Sequence, residues 1–147
     1  MVEFDLNPIM SWSISVDSAT FEVYENLTSD AGVTFGAYRI LADWDEATVI
    51  WGNRPAWGSS AYGYITTDYS TGWWSFDVTS LVEDWLDGVY PNYGICITHP
   101  GGGCSPPRVC ASEYSPVDPS LCPKLTIVYT ETAVEDASWG QIKADFE

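Results

Sequence analysis

The sequence predicts an all-β fold, an antiparallel jelly-roll β-sandwich with one short helix and a C-terminal tail. About eight short segments alternate apolar and polar residues, with turn-forming residues clustered between them. The aromatic content is high, with eight Trp, nine Tyr and five Phe, and aromatic side chains favour pleated surfaces. Within the domain, a single segment has helical spacing instead.

The predicted strands follow this alternation along the chain. Trp74 and Phe76, for example, share one face of a strand, and Trp73 lies on the other face. The segment 48–51 is a short strand or an extended piece, and 62–69 is an irregular strand. The predicted strands are residues 2–6, 18–26, 33–41, 48–51, 62–69, 73–78, 94–99, 107–113 and 124–130.

One short helix is predicted from Thr79 to Gly88. Leu81, Val82 and Trp85 follow i, i+1, i+4 spacing, which places them on one helical face. Thr79 is the candidate N-cap, and Gly88 is a natural stop. This is the only helix expected inside the sandwich.

Residues 1–130 are predicted to form the sandwich, and residues 131–147 a tail of different character. In the tail, Trp139, Ile142 and Phe146 lie at i, i+3 and i+7, which is one face of a helix. A helix of this length does not persist alone in water. The tail is therefore predicted to dock through these three side chains.

An even number of cysteines in a compact domain predicts two disulfides. Their spacing contains no C-x-x-C pair and matches no common zinc site. Strands pairing around residues 101–103 would place Cys96 opposite Cys110. That register leaves Cys104 for Cys122, and the other pairings stay open.

The net charge of −16, from 21 acidic and 5 basic residues, restricts the partners. Nucleic acids, anionic membranes and anionic polysaccharides are all repelled by such a chain. No apolar stretch is long enough to enter a membrane as a helix. Because disulfides need an oxidising compartment, we expect an extracellular or cell-surface protein.

Short motifs recur in a characteristic order across residues 2–130. They are VEFDL (2–6), SATF (18–21), DWDEAT (43–48), WGNRP (51–55), FDVTSLV (76–82) with Trp85, NYG (92–94), and ASEY (111–114) with PKLTI (123–127). This order resembles the DNRLRE-domain family, a carbohydrate-binding-module-like group found on exported bacterial and archaeal proteins. The resemblance implies a non-catalytic jelly-roll module, and some relatives bind polysaccharides.

The chain departs from that family in three ways: it lacks the usual N-terminal strands, it has a four-cysteine insertion near residue 101, and it is strongly acidic. Missing strands leave a sheet edge unpaired. A strand from a neighbouring molecule could fill such an edge. The negative charge of the chain disfavours an acidic glycan as ligand.

Outward-facing aromatic residues form the candidate surface for a glycan or a protein partner, because exposed aromatic patches mark contact sites. They are Trp57, Tyr62, Tyr64, Tyr69 and Trp73. Three further tryptophans within the family-like motifs, Trp44, Trp51 and Trp85, are predicted to pack in the core.

Asp43, Asp45 and Glu46 form an acidic group that could ligate Ca²⁺ with loop carbonyls. Turn and capping chemistry is the simpler interpretation of these residues. Asp77 is predicted to accept a backbone hydrogen bond where the strand meets the helix. His99, the single histidine, is predicted to be structural.

These observations together predict a non-catalytic extracellular carbohydrate-binding or adhesion module. The alternative is a structural subunit of an extracellular filament or surface layer, assembled by strand or tail exchange. The expected partner is a polysaccharide or neighbouring copies of the chain, with neither nucleic acid binding nor membrane insertion. No cofactor is required, calcium is a candidate, and no set of catalytic acid, base and nucleophile stands out.

Overall fold

Two antiparallel sheets make up the computed structural model, which describes residues 1–27, 30–100, 108–111 and 117–132. The predicted all-β sandwich is therefore confirmed. The elements in chain order are α1 (Asn7–Met10), β1 (Ile14–Leu27), β2 (Thr34–Arg39), β3 (Gly63–Thr66), β4 (Gly72–Asp77), α2 (Thr79–Leu86), β5 (Ile95–Thr98), β6 (Arg108–Val109), a 3₁₀ turn (Pro119–Leu121) and β7 (Lys124–Glu131).

The large sheet is organised around β1, the longest strand. β4 pairs with one edge of β1, and β6 and β7 pair with its other edge. Phe21 marks the middle of this sheet, opposite Phe76 on β4 and Leu125 on β7. The small sheet has the order β3-β2-β5, and a single bridge joins Val2 to Ile95 beside β5.

The core lies between the two sheets. Phe21 and Phe76 stack at 5.9 Å between ring centroids, and Phe4 meets Phe21 edge-on at the same distance. Alternation explains the arrangement, since every second residue of β1 from Ala19 to Glu25 is buried. Helix α2 adds three buried apolar side chains to this core, Leu81, Val82 and Trp85.

The predicted helix is confirmed as α2, with a shifted cap. Val78 occupies the N-cap position, and Asp77 accepts hydrogen bonds from the backbone N–H and the hydroxyl of Thr79, at 3.0 and 2.7 Å. These bonds lower the pKa of Asp77. The backbone role expected for Asp77 is thus confirmed, and the N-cap assignment to Thr79 is wrong.

The N-terminal segment differs from the prediction of a strand at 2–6. Val2 forms only a lone bridge, and Leu6 is buried ahead of the one-turn helix α1, which the prediction missed. Pro8 in the first turn favours that helix because its fixed φ suits the position. The segment 48–51, predicted to be a short strand or an extended piece, forms no strand, and Thr48 and Trp51 lie in turns.

The register that would place Cys96 opposite Cys110 is wrong. Cys96 lies on β5 of the small sheet, opposite Tyr38. Cys110 follows β6 of the large sheet, and its N–H donates to the Tyr24 carbonyl at 2.9 Å. Both carry free thiols. Cys104 and the tail residues Trp139, Ile142 and Phe146 lie outside the described residues.

Candidate functional site

Residues 41–58 form a loop that follows β2 on the outer side of the small sheet, here named the covering loop. Tyr38, Ile40 and Cys96 are buried on this side, although they do not belong to the core between the sheets. Gly36 makes room on this face, since a Cβ there would lie 2.7 Å from a ring carbon of Tyr38. Arg54 of the loop is close enough to Cys96 to lower the pKa of its thiol, against the effect of burial, so the loop lies near this second buried group.

Hydrogen bonds fasten the covering loop at both ends. The Leu41 N–H donates to the Ala56 carbonyl at 2.9 Å, and the Gly58 N–H donates to the Arg39 carbonyl at 2.8 Å. Trp44, half-buried within the loop, donates from Nε1 to the Tyr93 carbonyl at 2.9 Å. The loop is therefore fixed to the sheet on both sides of its tip.

The tip of the loop is held by Asn53. Its Oδ1 accepts from the Ile50 N–H at 2.6 Å, and its Nδ2 donates to the Thr48 carbonyl at 3.0 Å. Arg54 Nη1 also donates to the Trp51 carbonyl. These local bonds fix the backbone that carries Trp51.

Trp51 is the most exposed large apolar side chain of the described residues, at 78%. The Arg54 guanidinium lies over its ring, 3.5 Å from the centroid, and 5.2 Å from the ring of Trp57. Arginine favours such stacking because its planar cation is weakly hydrated. One face of the Trp51 ring is therefore supported, and most of the side chain remains in solvent.

A second aromatic group lies on the outer face of the large sheet. Trp73 meets Tyr24 edge-on at 5.4 Å, and Lys124 Nζ lies 3.7 Å from the Trp73 ring centroid. Ser75 donates to Glu22 beside them at 3.1 Å. Trp73 is only 37% exposed, because neighbours on adjacent strands cover its ring.

The predicted aromatic residues do not form one surface. Trp57 is half-buried in the covering loop, Tyr64 is exposed on β3, and Trp73 lies on the other sheet. Tyr69 is exposed at the β3–β4 turn, with a left-handed φ of 68°. The outward position predicted for Tyr62 is wrong, since it packs against the core.

Among the three tryptophans predicted to be in the core, Trp85 is buried as expected, Trp44 is half-buried and Trp51 is exposed. The core position predicted for Trp51 is therefore wrong. The sequence analysis also did not identify Arg54 as a neighbour of Trp51. A signal was present, because both lie in the run WGNRP, whose Gly, Asn and Pro are turn formers. Side chains in such turns point to solvent more often than those of strands.

The acidic residues that were considered as calcium ligands form hydrogen bonds within a turn. Asp43 Oδ1 accepts from the Trp44 N–H, and Asp45 Oδ1 accepts from the Ala47 N–H, both at 2.9 Å. Within the described ranges, no group of three or more His, Cys, Asp or Glu side chains is placed to hold a metal, Glu46 included. Calcium binding there stays a prediction.

A cleft of about 750 Å³ lies between the N-terminal segment and the end of α2. Glu3, Asp5 and Asn92 line it together with Trp85 and Tyr90. Burial raises the pKa of Glu3, and the charges of Asp43 and Asp5 raise it further. The negative charge of this cleft disfavours an anionic ligand.

Comparison with known families supplies the remaining finding. Residues 1–122 match the model of carbohydrate-binding module family 96. No curated protein is significantly similar to the chain. In the part of the chain that the structure describes, no helix is both long and apolar enough to cross a membrane.

Proposed function

We propose that this chain, which belongs to carbohydrate-binding module family 96, binds a polysaccharide through the outer face of the small sheet, with Trp51 as the main contact. The observation that carries this proposal is the exposure of Trp51, at 78%, on a loop whose backbone is held by hydrogen bonds. A large exposed apolar side chain in a fixed position suits a binding role.

The chemistry of the ring fits a sugar. A pyranose presents C–H groups on its faces and hydroxyls at its rim, so it can lie flat on an indole. Arg54 stacks on one side of the Trp51 ring, and most of the side chain remains in solvent. A ring with such a contact loses less conformational entropy when a ligand binds than a ring without one.

Further aromatic side chains extend the surface along the small sheet. Trp57 bridges to Ile40, and Tyr64 pairs with Gly36. These partner positions, Gly36 on β2 and Ile40 just after its end, are four residues apart, or about 13 Å at the usual rise of a strand. A row of this length suits a chain of several sugar units better than a single sugar.

The charge of the protein favours a neutral polysaccharide. With a net charge of −16, the chain repels an anionic polymer over the whole surface, and Arg54 is one of only five basic residues. We therefore place the ligand among uncharged glycans.

A non-catalytic, exported module is the role that fits these features, and the resemblance of the motif order to that of DNRLRE-domain proteins supports it. Binding by stacking needs no cofactor. Adhesion would follow if the polysaccharide belongs to a cell surface. The alternative role as a filament subunit rests partly on the tail, residues 133–147 of which lie outside the described residues.

Affinity electrophoresis and calorimetry against neutral and acidic polysaccharides test the proposal. Trp51→Ala should weaken binding to a neutral glycan at least tenfold, since a central aromatic contact contributes about 2 kcal/mol or more. Trp73→Ala, the matched control on the other sheet, should change affinity less than about threefold. Equal loss in both variants, or no binding to any glycan, would reject the assignment of this face.

A further inference from the structure

We propose that Cys110 and Cys122 form an intrachain disulfide when the protein is oxidised, linking the end of β6 to the start of β7. The inference is independent of carbohydrate binding. It replaces the pairing of Cys96 with Cys110 that the sequence predicted.

The strand registers place the two cysteines together. On β1, Glu25 pairs with Val109 of β6, and the N–H of Cys110 donates to the Tyr24 carbonyl at 2.9 Å. On the same edge of β1, Glu22 pairs with Lys124 of β7. Cys122 lies two residues before Lys124, at the end of the 3₁₀ turn that leads into β7. The end of β6 and the start of β7 thus bring both cysteines to the same part of the edge of the large sheet.

The spacing suits a disulfide. The partners of Cys110 and Lys124 on β1 are two residues apart, which is about 6.6 Å along a strand. Cys122 precedes Lys124 by two residues, in extended conformation with ψ of 153°. A disulfide needs Cα atoms about 4.4–6.8 Å apart. The start of β7 therefore lies close enough to Cys110 for the cysteine just before it to come within bonding range.

The return of the chain is fixed by local hydrogen bonds. Asp118 accepts from the Ser120 N–H at 3.0 Å and caps the 3₁₀ turn, and the Cys122 N–H donates to the Pro119 carbonyl at 3.4 Å. Cys122 is half-buried, and Cys110 is 2% exposed. The second cysteine consequently approaches the first from the solvent side.

The surroundings of the thiols agree with this placement. Burial raises the pKa of Cys110, and Cys122 and Asp118 raise it further. Burial also raises the pKa of Cys96, but there the N-terminus and Arg54 act in the opposite direction. Cys122 is therefore a neighbour of Cys110, whereas Cys96 has a different set of neighbours.

Oxidation by a low-molecular-weight disulfide, such as oxidised glutathione, would proceed by exchange. The thiolate of one cysteine, having lost its proton to solvent, attacks the reagent and releases one thiolate. The thiolate of the second cysteine then attacks the mixed disulfide, forms the S–S bond and releases the other thiolate. The two cysteines lose two protons and two electrons in total, and the reagent is reduced to two thiols.

Peptide mapping of the full chain without reduction, after equilibration in a glutathione buffer, tests the pairing. We expect a crosslinked peptide pair containing Cys110 and Cys122, retained in Cys96→Ser and lost in Cys110→Ser. Linkage of Cys110 to Cys96 or Cys104, linkage of Cys122 to Cys104, or four free thiols after oxidation would overturn the proposal.

Thermal unfolding of the unmodified chain provides a second measurement that does not depend on variants. Reduction should lower the melting temperature by roughly 5–10 °C, the effect of releasing a loop of this size in a domain of this length. The same shift should appear in Cys96→Ser and be absent in Cys122→Ser. An equal shift in Cys122→Ser would contradict the pairing.

Discussion

On the large sheet, Trp73 stands on a strand beside Tyr24, and Lys124 of a third strand lies over its ring at 3.7 Å. On the small sheet, Trp51 stands on a loop, and Arg54 of the same loop lies under its ring at 3.5 Å. Each indole is contacted by a cation, yet Trp73 is 37% exposed and Trp51 is 78% exposed.

The difference shows how a loop changes the use of a sheet face. A residue on a strand has neighbours at fixed spacing on both sides, so large side chains cover one another. On the small sheet, Tyr38 and Ile40 are buried on the side of the covering loop, and the loop carries Trp51 outward. The small sheet therefore has an additional buried layer and a more prominent aromatic surface.

The largest expected effect tests whether the outer face of the small sheet is a true second core. Ile40 is fully buried beneath the covering loop, so Ile40→Ala should lower the free energy of unfolding by about 3 kcal/mol. Val128 lies on the uncovered outer face of the large sheet and is 52% exposed. Val128→Ala should change stability by less than about 0.5 kcal/mol. Urea denaturation of both variants gives the comparison.

Similar losses of stability in the two variants would mean that Ile40 does not belong to a second core. The outer faces of the two sheets would then not differ in this respect. Amide exchange of the loop in Ile40→Ala adds a second readout. If the cluster beneath the loop supports it, exchange should become faster from residue 41 to residue 58 while the large sheet stays protected.

The sequence predicts strand-borne features better than loop-borne ones. Alternation correctly places Trp73 outward and Trp74 inward, because a side chain on a strand follows the period of the pleat. It cannot place Trp51, whose exposure depends on how Asn53 and Arg54 fold the loop tip. Trp51 and Arg54 are close in sequence, but their contact follows no periodic pattern from which it could be predicted.

Long-range pairing is the other limit of sequence reasoning. Alternation around Cys96 and Cys110 is compatible with a hairpin, but the two strands pair with different partners, β2 and β1. Which strand lies beside which depends on the whole sandwich, since each strand has one apolar face and several possible neighbours. The helix α2, in contrast, is a local feature, and the spacing of its apolar residues was sufficient to predict it.

Removing either of the two cations that contact the tryptophans should lower stability by less than Ile40→Ala does. Arg54→Ala should cost about 1 kcal/mol of stability, because it removes a planar stack and a hydrogen bond to the Trp51 carbonyl. Lys124→Ala should cost less than about 0.5 kcal/mol, since a mobile ammonium at the surface contributes little. Denaturation midpoints at low and high salt measure both.

The conservative variant Arg54→Lys separates charge from shape. It keeps the positive charge and loses the planar fork, so it should behave like Arg54→Ala if stacking holds the loop. Full retention of stability in Arg54→Lys would show that charge alone matters, and the distinction between the two cation–tryptophan pairs would disappear.

The smallest expected effect concerns alkaline pH. Burial raises the pKa of Tyr38 above its ordinary value of 10.0, and Tyr64 and Cys96 raise it further. Because the folded state holds the proton more tightly than the unfolded state, this contribution is fully present below pH 10 and is lost as the pH rises through the folded pKa. Tyr38→Phe should therefore unfold like the unmodified chain at pH 7 and lose less stability above pH 10. The free energy of unfolding of both chains, measured from pH 7 to above pH 10, checks this expectation. If Tyr38→Phe and the unmodified chain lose the same stability above pH 10, the phenol of Tyr38 is not shielded, and this side of the small sheet does not hold a second core.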